Sequence, residues 1–559
     1  GLESLIIHKT NNMFLSGITF PSTYRADRSL SNFIVQSHQT EIEDNWHLGG
    51  TGLKGELDLS GVRLGGGSGF TDQHEGYFSL TKQAFLNSVK HGPSDEKFYI
   101  YRITPSLDPY AYTQWIPSQT YRWHNPVSHG DGYSGITGTH DMRMLTGLGG
   151  LFDMGANPYL EEIFFPVSNN RFTLLNLENC DLKGHLDLSG IDIGNLVEDD
   201  YNPTAEYGNK AGFFSVQYQG ARGWPVQYSY ALTGITHGPN TSNINTYWCS
   251  HNGFTTLDLS MLKIGTPVNK LNDSSYNGNF WASGCKYLTG ITHTYTDLYI
   301  KDYRINSCSE LLEHDMTMIP NLCGYFTAAS CGKLKKLSHT TCTSTYPLTT
   351  YHIGTTGIED NHDMSMFPKL GGNFYAFSCY SLTGLTFTTT SESFSRFHVY
   401  QSSLKGELDL TNLTGLGGEF RVEYNKGDYY HTKPSWPNPR PVGLTKITHT
   451  ASTVNFSKYH AYNCALEGEL DVSMLENLGG NFNVSYNYSG FTNYYGNLQN
   501  IKFPSNNRSI TISAAHCNLQ DNLDVTMMSG MTYLNVSHNV NLSGVTIQND
   551  HPYPLTIHA

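Results

Sequence analysis

LTGITHT occupies Leu288–Thr294, and close copies stand at Leu232–His237 (LTGITH) and Leu444–Thr450 (LTKITHT). A histidine among threonines in an uncharged stretch has the residue types of a metal ligand or a catalytic base. A second string changes that first impression. LKGELDLS at 53–60 returns as LKGHLDLS at 182–189, LKGELDLT at 404–411 and LEGELDVS at 466–473, with weaker copies centred on Asp141, Asp258, Asp315, Asp363 and Asp524. The two strings alternate along the chain.

Their spacing is regular. Ile291 to Asp315, Leu385 to Asp409 and Ile447 to Asp471 are each 24 residues apart, and Asp141 to Ile163 and Asp315 to Leu337 are each 22. Over residues 132–550, intervals of 30 residues or more occur only from an Asp to the next Ile-type position, as in 48 residues from Asp187 to Ile235 and 38 from Asp409 to Ile447. A one-dimensional stack of coils of about 22–24 residues, with loops inserted on one side, keeps phase in this way; independent domains do not.

Each string follows a stretch of the form Φ-x-Φ-x-x-[N/C], such as Phe482, Val484 and Asn487, or Tyr459, Ala461 and Cys464. Period-two alternation makes Φ inward and x outward. The C-terminal copy, TYLNVSHNVNLSG at 532–544, combines both parts. LxLxxN/C followed by LxGxL or LxGxI resembles the leucine-rich repeat. The resemblance covers about residues 132–550 and reaches residues 1–131 only in patches. It implies a leucine-rich-repeat solenoid, mostly β, with one continuous parallel sheet and short turns or 3₁₀ segments, such as SMLENLGG at 473–480, on the far side. The expected organisation is atypical coils with long inserts over 1–131, a regular solenoid over 132–550 and an end segment over 551–559.

The repeat phase also places the cysteines. Cys180, Cys285, Cys308, Cys331, Cys379, Cys464 and Cys517 fall on the Asn/Cys position. There a thiol acts as a small buried hydrophobe and weak donor at the turn. Buried free thiols are expected. Strand spacing of about 4.8 Å keeps a bridge among Cys285, Cys308 and Cys331 open. No CxxC cluster points to zinc.

Alignment on Leu and Gly puts the LTGITH histidine where other copies carry Phe20, Phe165, Phe387, Phe503 or Ile547. The histidines are therefore expected inward, packed and hydrogen-bonded, with a metal or proton-relay column as the rival. Asp187, Asp258, Asp315, Asp363, Asp409, Asp471 and Asp524 point outward and alternate with Thr or Ser. Interposed hydroxyls separate like charges and offer donors to them, so the row reads as structural, together with Cys180, Cys379 and Cys464. A carboxylate pair for glycoside hydrolysis, calcium sites and an ice-binding threonine array are weaker rivals.

Two surfaces are candidates for binding. The outward x positions carry Trp281, Tyr375, Phe377, His398, Tyr400, Arg421, His460 and Tyr462, an aromatic and polar stripe suited to sugars or a protein partner. The inserts at 220–231, 425–443 and 487–497 carry Trp224, Tyr429, Tyr430, Trp436, Tyr494 and Tyr495. Strand propensity alone also favours tyrosine, and inserts also serve merely to cover a flank.

The formal net charge of -14 and the absence of a Lys/Arg run argue against nucleic acid. No apolar run approaches the length of roughly 18 residues needed for a membrane span. Gly1 implies processing or a longer parent polypeptide. With no nucleophile elbow, phosphate loop or metal motif, the sequence implies no cofactor and no catalysis. The expected role is extracellular recognition, adhesion or structure on a cell surface, virion or filament, through protein or glycan ligands. The repeat style is similar to bacterial surface and phage-encoded leucine-rich proteins. A fibre subunit stacking through open solenoid ends is the second reading, and a polysaccharide hydrolase using outward aspartates the third.

Overall fold

The computed structural model describes residues 135–167, 170–194, 212–219, 230–271, 278–426, 443–487, 497–548 and 554–559. Before these it describes 4–8, 18, 32–36, 53, 55–65, 76–81, 86–98 and 100–104. The chain forms two compact units, Gly1–Asp302 and Tyr303–Ala559, built from the same coil.

One coil of the second unit shows the plan. The strand Phe394–His398 runs in the main sheet, the chain turns at Gln401 and Ser402, and Gly406–Leu410 forms a flank strand. A third side of turns leads to the next main strand, Gly418–Arg421, which pairs parallel to Phe394–His398 with Phe397 opposite Phe420. Gly184, Gly406 and Gly468 open their flank strands at φ 65 to 66°, which is why the LxGxL string carries glycine there. The third side is mainly turns and isolated bridges such as Ser452 with Leu475, and Val268–Lys270 is a 3₁₀ helix.

In both units the main strands stack in parallel, one per coil, and the result is nearly all β. This is the architecture of a leucine-rich-repeat solenoid. The flank differs from a simple continuous sheet. Its strands pair two by two: Gly184–Leu188 with Leu232–His237, Thr256–Leu259 with Gly290–His293, and Gly406–Leu410 with Leu444–His449. In these three pairs Asp faces Thr across the ladder, as Asp187 faces Thr236 and Asp409 faces Thr448, whereas Asp141 faces Phe164 and Asp471 faces Lys502.

The corner between main and flank strands follows one rule. Ala156, Asn179, Tyr218 and His251 in the first unit take positive φ, as do Ser307, Ser378, Tyr424, Tyr486, His516 and His538 in the second. Each immediately precedes the Asn/Cys position. Left-handed backbone at a non-glycine residue costs on the order of 1 kcal/mol. The next residue offsets it by hydrogen bonding. Asn425 Nδ2 donates to Val399 O and Val422 O at 2.6 and 2.7 Å, and its Oδ1 accepts from Leu404 N at 3.4 Å. Cysteines do half of this work. The thiols of Cys331, Cys379 and Cys464 donate to the preceding coil's carbonyls at 3.1 Å, and Cys180 and Cys285 do so at 3.4 and 3.3 Å. All ten cysteines are free thiols, and burial raises Cys180, Cys285, Cys464 and Cys517 to about 12. The bridge left open among Cys285, Cys308 and Cys331 is not formed.

The core is an aromatic spine. In the first unit Phe33, Phe78, Tyr101 and Phe152 stack at successive ring separations of 5.6, 4.8 and 5.2 Å. In the second, Tyr303, Phe326, Tyr351, Phe374, Phe397, Phe420, Tyr459 and Phe482 continue at 4.7 to 5.9 Å. A tyrosine in such a column buries a hydroxyl that needs a partner. The LTGITH histidines supply it. Nε2 of His237, His339 and His449 lies 2.8, 3.0 and 2.8 Å from the hydroxyls of Tyr247, Tyr351 and Tyr459. His314 serves Tyr303, His362 is a second partner of Tyr351, and His91 and His140 share Tyr101, all at 2.7 Å. Where the spine carries Phe374 or Phe482, the facing position is Phe387 or Phe503, edge to face. These histidines are therefore hydroxyl partners inside the core, whereas His293 of the opening stretch meets Phe280 edge to face at 5.4 Å.

Burial holds these rings neutral: His140, His314, His362 and His449 are lowered to about 4 and His237 to about 3. Replacing Tyr351 with Phe strips a partner from both His339 and His362. A loss of about 1–3 kcal/mol is expected, read as an earlier urea midpoint, and Tyr351→Phe combined with His339→Phe and His362→Leu recovers part of it. Because the folded pKa lies below the ordinary 6.5, the unfolded chain takes up protons first. The rings' contribution is full above pH 6.5 and is lost as pH falls toward 4, so urea midpoints should drop across that window.

Candidate functional site

The outward face of the main sheet differs between the units. In the first, outward Ile100, Leu151, Leu174 and Phe213 are buried, as are Arg102, Asp153 and Ser215 in the next row. These strands lie before the stretch from Trp281 onward that the sequence singled out, and of their outward residues Asn176 is half-buried. Trp281 lies two strands on, half-buried, stacked on Trp248 at 4.5 Å and 11°. Trp248, outward on the strand TYW at 246–248, was legible by the same alternation and escaped the sequence reading.

In the second unit the face is half-open: Tyr375, Phe377, Tyr400, Arg421, His460 and Tyr462 are half-buried and His398 is buried. Alternation along Leu370–Tyr375, Phe394–His398, Gly418–Arg421 and Phe456–His460 turns Phe374, Phe397, Phe420 and Tyr459 into the spine, and Tyr375, His398, Arg421 and His460 outward. Two residues later on each strand come Phe377, Tyr400, Glu423 and Tyr462. These groups touch one another from coil to coil. Phe377 stacks on Tyr400 at 5.1 Å and 7°, the Arg421 guanidinium covers Tyr400 at 4.4 Å, and His398 meets Tyr375 edge to face at 5.4 Å. The geometry brings Tyr375, Phe377, His398, Tyr400, Arg421, His460 and Tyr462 into one stripe; Trp281 belongs to the other unit.

The charges of the stripe are paired within it. Arg421 Nε donates to Glu423 Oε1 at 2.8 Å, and Glu423 is fully buried. Lys458 Nζ donates to Glu419 at 3.0 Å, His398 Nε2 lies 3.4 Å from the same carboxylate, Arg396 donates to the Tyr375 hydroxyl at 3.2 Å, and His460 bonds Asn481 at 2.8 Å. Burial and then the Arg421 charge lower His398 to about 4, and burial lowers His352 to about 4, so both are neutral at pH 7. Burial, the Tyr424 hydroxyl and the Glu423 charge push Tyr462 up. Glu423 and His352 complete the stripe and were outward by alternation, but nothing in the sequence marked their burial.

Stacking along the solenoid covers ring faces of the stripe. Phe377 covers one face of Tyr400 and Arg421 covers another. Sugar stacking needs an open ring face, whereas a protein surface docks against edges, hydroxyls and paired charges.

The aspartate row has a different role from hydroxyl-bridged charges. Oδ1 of Asp187, Asp258, Asp315, Asp363, Asp409, Asp471 and Asp524 accepts the backbone N–H two residues on at 2.8 to 3.0 Å. Asp58 and Asp141 do the same. The D-x-S/T string is thus an Asx turn ending each flank strand. The expected cross-coil hydroxyl donor is found at Thr448 Oγ1 to Asp409, 3.3 Å. Each described aspartate of the row makes the same turn hydrogen bond, so none stands out as a hydrolytic pair. Among the described residues no cluster of three or more His, Cys, Asp or Glu is placed to hold a metal, and no helix is long and apolar enough to cross a membrane. Trp224, Tyr429, Tyr430, Trp436, Tyr494 and Tyr495 lie outside the described residues.

No family model matches the chain, and no curated protein matches it. Among solved structures, it is similar to a leucine-rich repeat protein from Bacteroides ovatus, at 12% identity and TM-score 0.37, covering 74% of this chain and 86% of that one. It is also similar to TLR13 in a complex with the RNA ssRNA13, at 13% identity and TM-score 0.18, covering 93% and 78%.

Arg421→Ala strands a buried carboxylate and is expected to cost roughly 3 kcal/mol in denaturant unfolding, whereas Arg421→Met with Glu423→Leu is expected to be close to neutral.

Proposed function

We propose that the chain is a non-enzymatic recognition scaffold whose ligand is a protein, bound on the outward face of the second unit from Tyr375 to Tyr462. The observation that carries this reading is a half-open stripe of aromatic and charged side chains already stacked and paired with one another. Preorganised aromatic groups with buried stems lose little entropy on docking. The aromatic inserts at 220–231, 425–443 and 487–497 belong to the proposal as a second contact region; each follows an Asn/Cys corner position in the sequence. Part of the same proposal is an extracellular place, on a cell surface, a virion or a filament, supported by the low charged fraction of 15% and the tyrosine-rich inserts.

A glycan ligand is the second reading, favoured by Trp248 and Trp281 in the first unit. The test uses immobilised protein to isolate a partner from the native surroundings, followed by binding of the purified partner. Tyr375→Glu and Tyr462→Glu are expected to weaken binding by tenfold or more, about 1.4 kcal/mol each, with an unchanged melting temperature, while Thr386→Glu on the flank leaves it intact. Partner binding insensitive to both face variants overturns the reading, and binding of purified oligosaccharides that is lost with Trp281→Ala favours the second.

A further inference from the structure

The turn that ends each flank strand in the first unit carries a second regularity. Three residues after the outward Asp, Phe or Thr, six consecutive coils place Met144, Val167, Gly190, Pro239, Met261 and Tyr295. None is charged, and five of the six are exposed. Val167 is 92% exposed and Tyr295 60%. The coils are stacked in register: Asp141 pairs with Phe164, Asp187 with Thr236 and Asp258 with Thr292. Neighbouring turns also touch, as Asn240 N donates to Met261 O at 3.3 Å. The residues therefore line up as an apolar ridge along one edge. Isolated exposed hydrophobes are ordinary, but a contiguous row marks a contact surface.

The flank leading up to the ridge is acidic. Its outward positions hold Asp141, Glu162, Asp187 and Asp258. The cations nearby are Arg143, which pairs with Asp141 at 2.6 Å and lies over the Phe164 ring at 4.8 Å, Arg171, which reaches Thr241 at 3.2 Å and pairs with Asp192, Lys183, which pairs with Glu161, and exposed Lys263. Asp187 and Asp258 give Oδ1 to the turn and have no ion pair among the described residues. Carboxylates recur on alternate coils, with Met144 three residues beyond Asp141 and Met261 three beyond Asp258, and Val167 and Pro239 on the coils between. This sign excludes an anionic membrane surface and nucleic acid and suits basic groups set beside apolar ones.

We propose that this edge of the first unit is a docking surface for a basic, amphipathic protein segment, with its apolar side chains between Met144, Val167 and Met261 and its Lys or Arg groups on Asp187 and Asp258. It is separate from the face proposed for the second unit and does not depend on it. The probe is a fluorescent peptide of alternating lysine and leucine, measured by anisotropy on the full chain, with an alternating glutamate and leucine peptide and an all-lysine peptide beside it. The lysine–leucine peptide is expected to bind best. Val167→Glu and Met261→Lys should each weaken it by roughly tenfold. Asp187→Asn with Asp258→Asn should weaken it several-fold and flatten its salt dependence; the amide oxygen still accepts the turn N–H, so the fold is kept, as an unchanged melting temperature will show. Equal binding of the glutamate–leucine peptide, or binding indifferent to Val167→Glu and Met261→Lys, overturns the proposal. Concentration-dependent dimerisation without peptide that Val167→Glu abolishes overturns it in favour of a second copy as the occupant.

Discussion

Parallel backbone pairing moves the chain by one coil, close to 5 Å, at each turn, and everything else has to fit that step. Flat rings fit it well. The inward residues of the main strands stack as a spine with separations between 4.7 and 5.9 Å in the second unit. Tyrosine enters the spine at a cost, because its hydroxyl is carried into an apolar interior. The flank strand facing it meets that cost with an imidazole, and where the spine has Phe374 or Phe482 the facing residue is itself Phe. The composition of one strand is thus answered by that of another across the core.

The corner shows the same logic in the backbone. Reversing direction between main and flank strands demands a left-handed residue on each coil, and side chains as large as Tyr424, Tyr486 and His538 accept it. What holds them there is the following Asn, Cys, Ser, Thr or Gln, which binds carbonyls of its own coil and of the coil before. Ser402 and Gln219 fill this role as well as Asn425. Two of the strained residues, His516 and His538, stack at 4.1 Å.

Much of this was legible. The phase of the repeats, the inward set Phe374, Phe397, Phe420 and Tyr459, the corner cysteines as buried thiols and the inward histidines all follow from alternation and spacing. Other points were not. The aspartates read as a column of charges separated by hydroxyls, but they act locally as strand terminators, because an Asx turn to the second N–H on is closer than any neighbouring coil. Outward positions are alike by alternation, yet Ile100, Leu151, Leu174 and Phe213 are buried while Tyr375 and Tyr462 are half-open. Alternation gives the side of a sheet on which a residue lies and says nothing of what lies over it.

The sequence by itself determined the coil length, the parallel stacking and the side of each strand every side chain occupies, since these depend on periods of two and about twenty-four that are visible in one dimension. Only the tertiary structure decided which partner each buried polar group has: His237 with Tyr247, Arg421 with Glu423, Cys379 with Ile353 O. Those pairings join different strands or coils and hold at hydrogen-bond distances near 3 Å. A shift of one residue in register would break them all, and register is settled only when the coils close on one another.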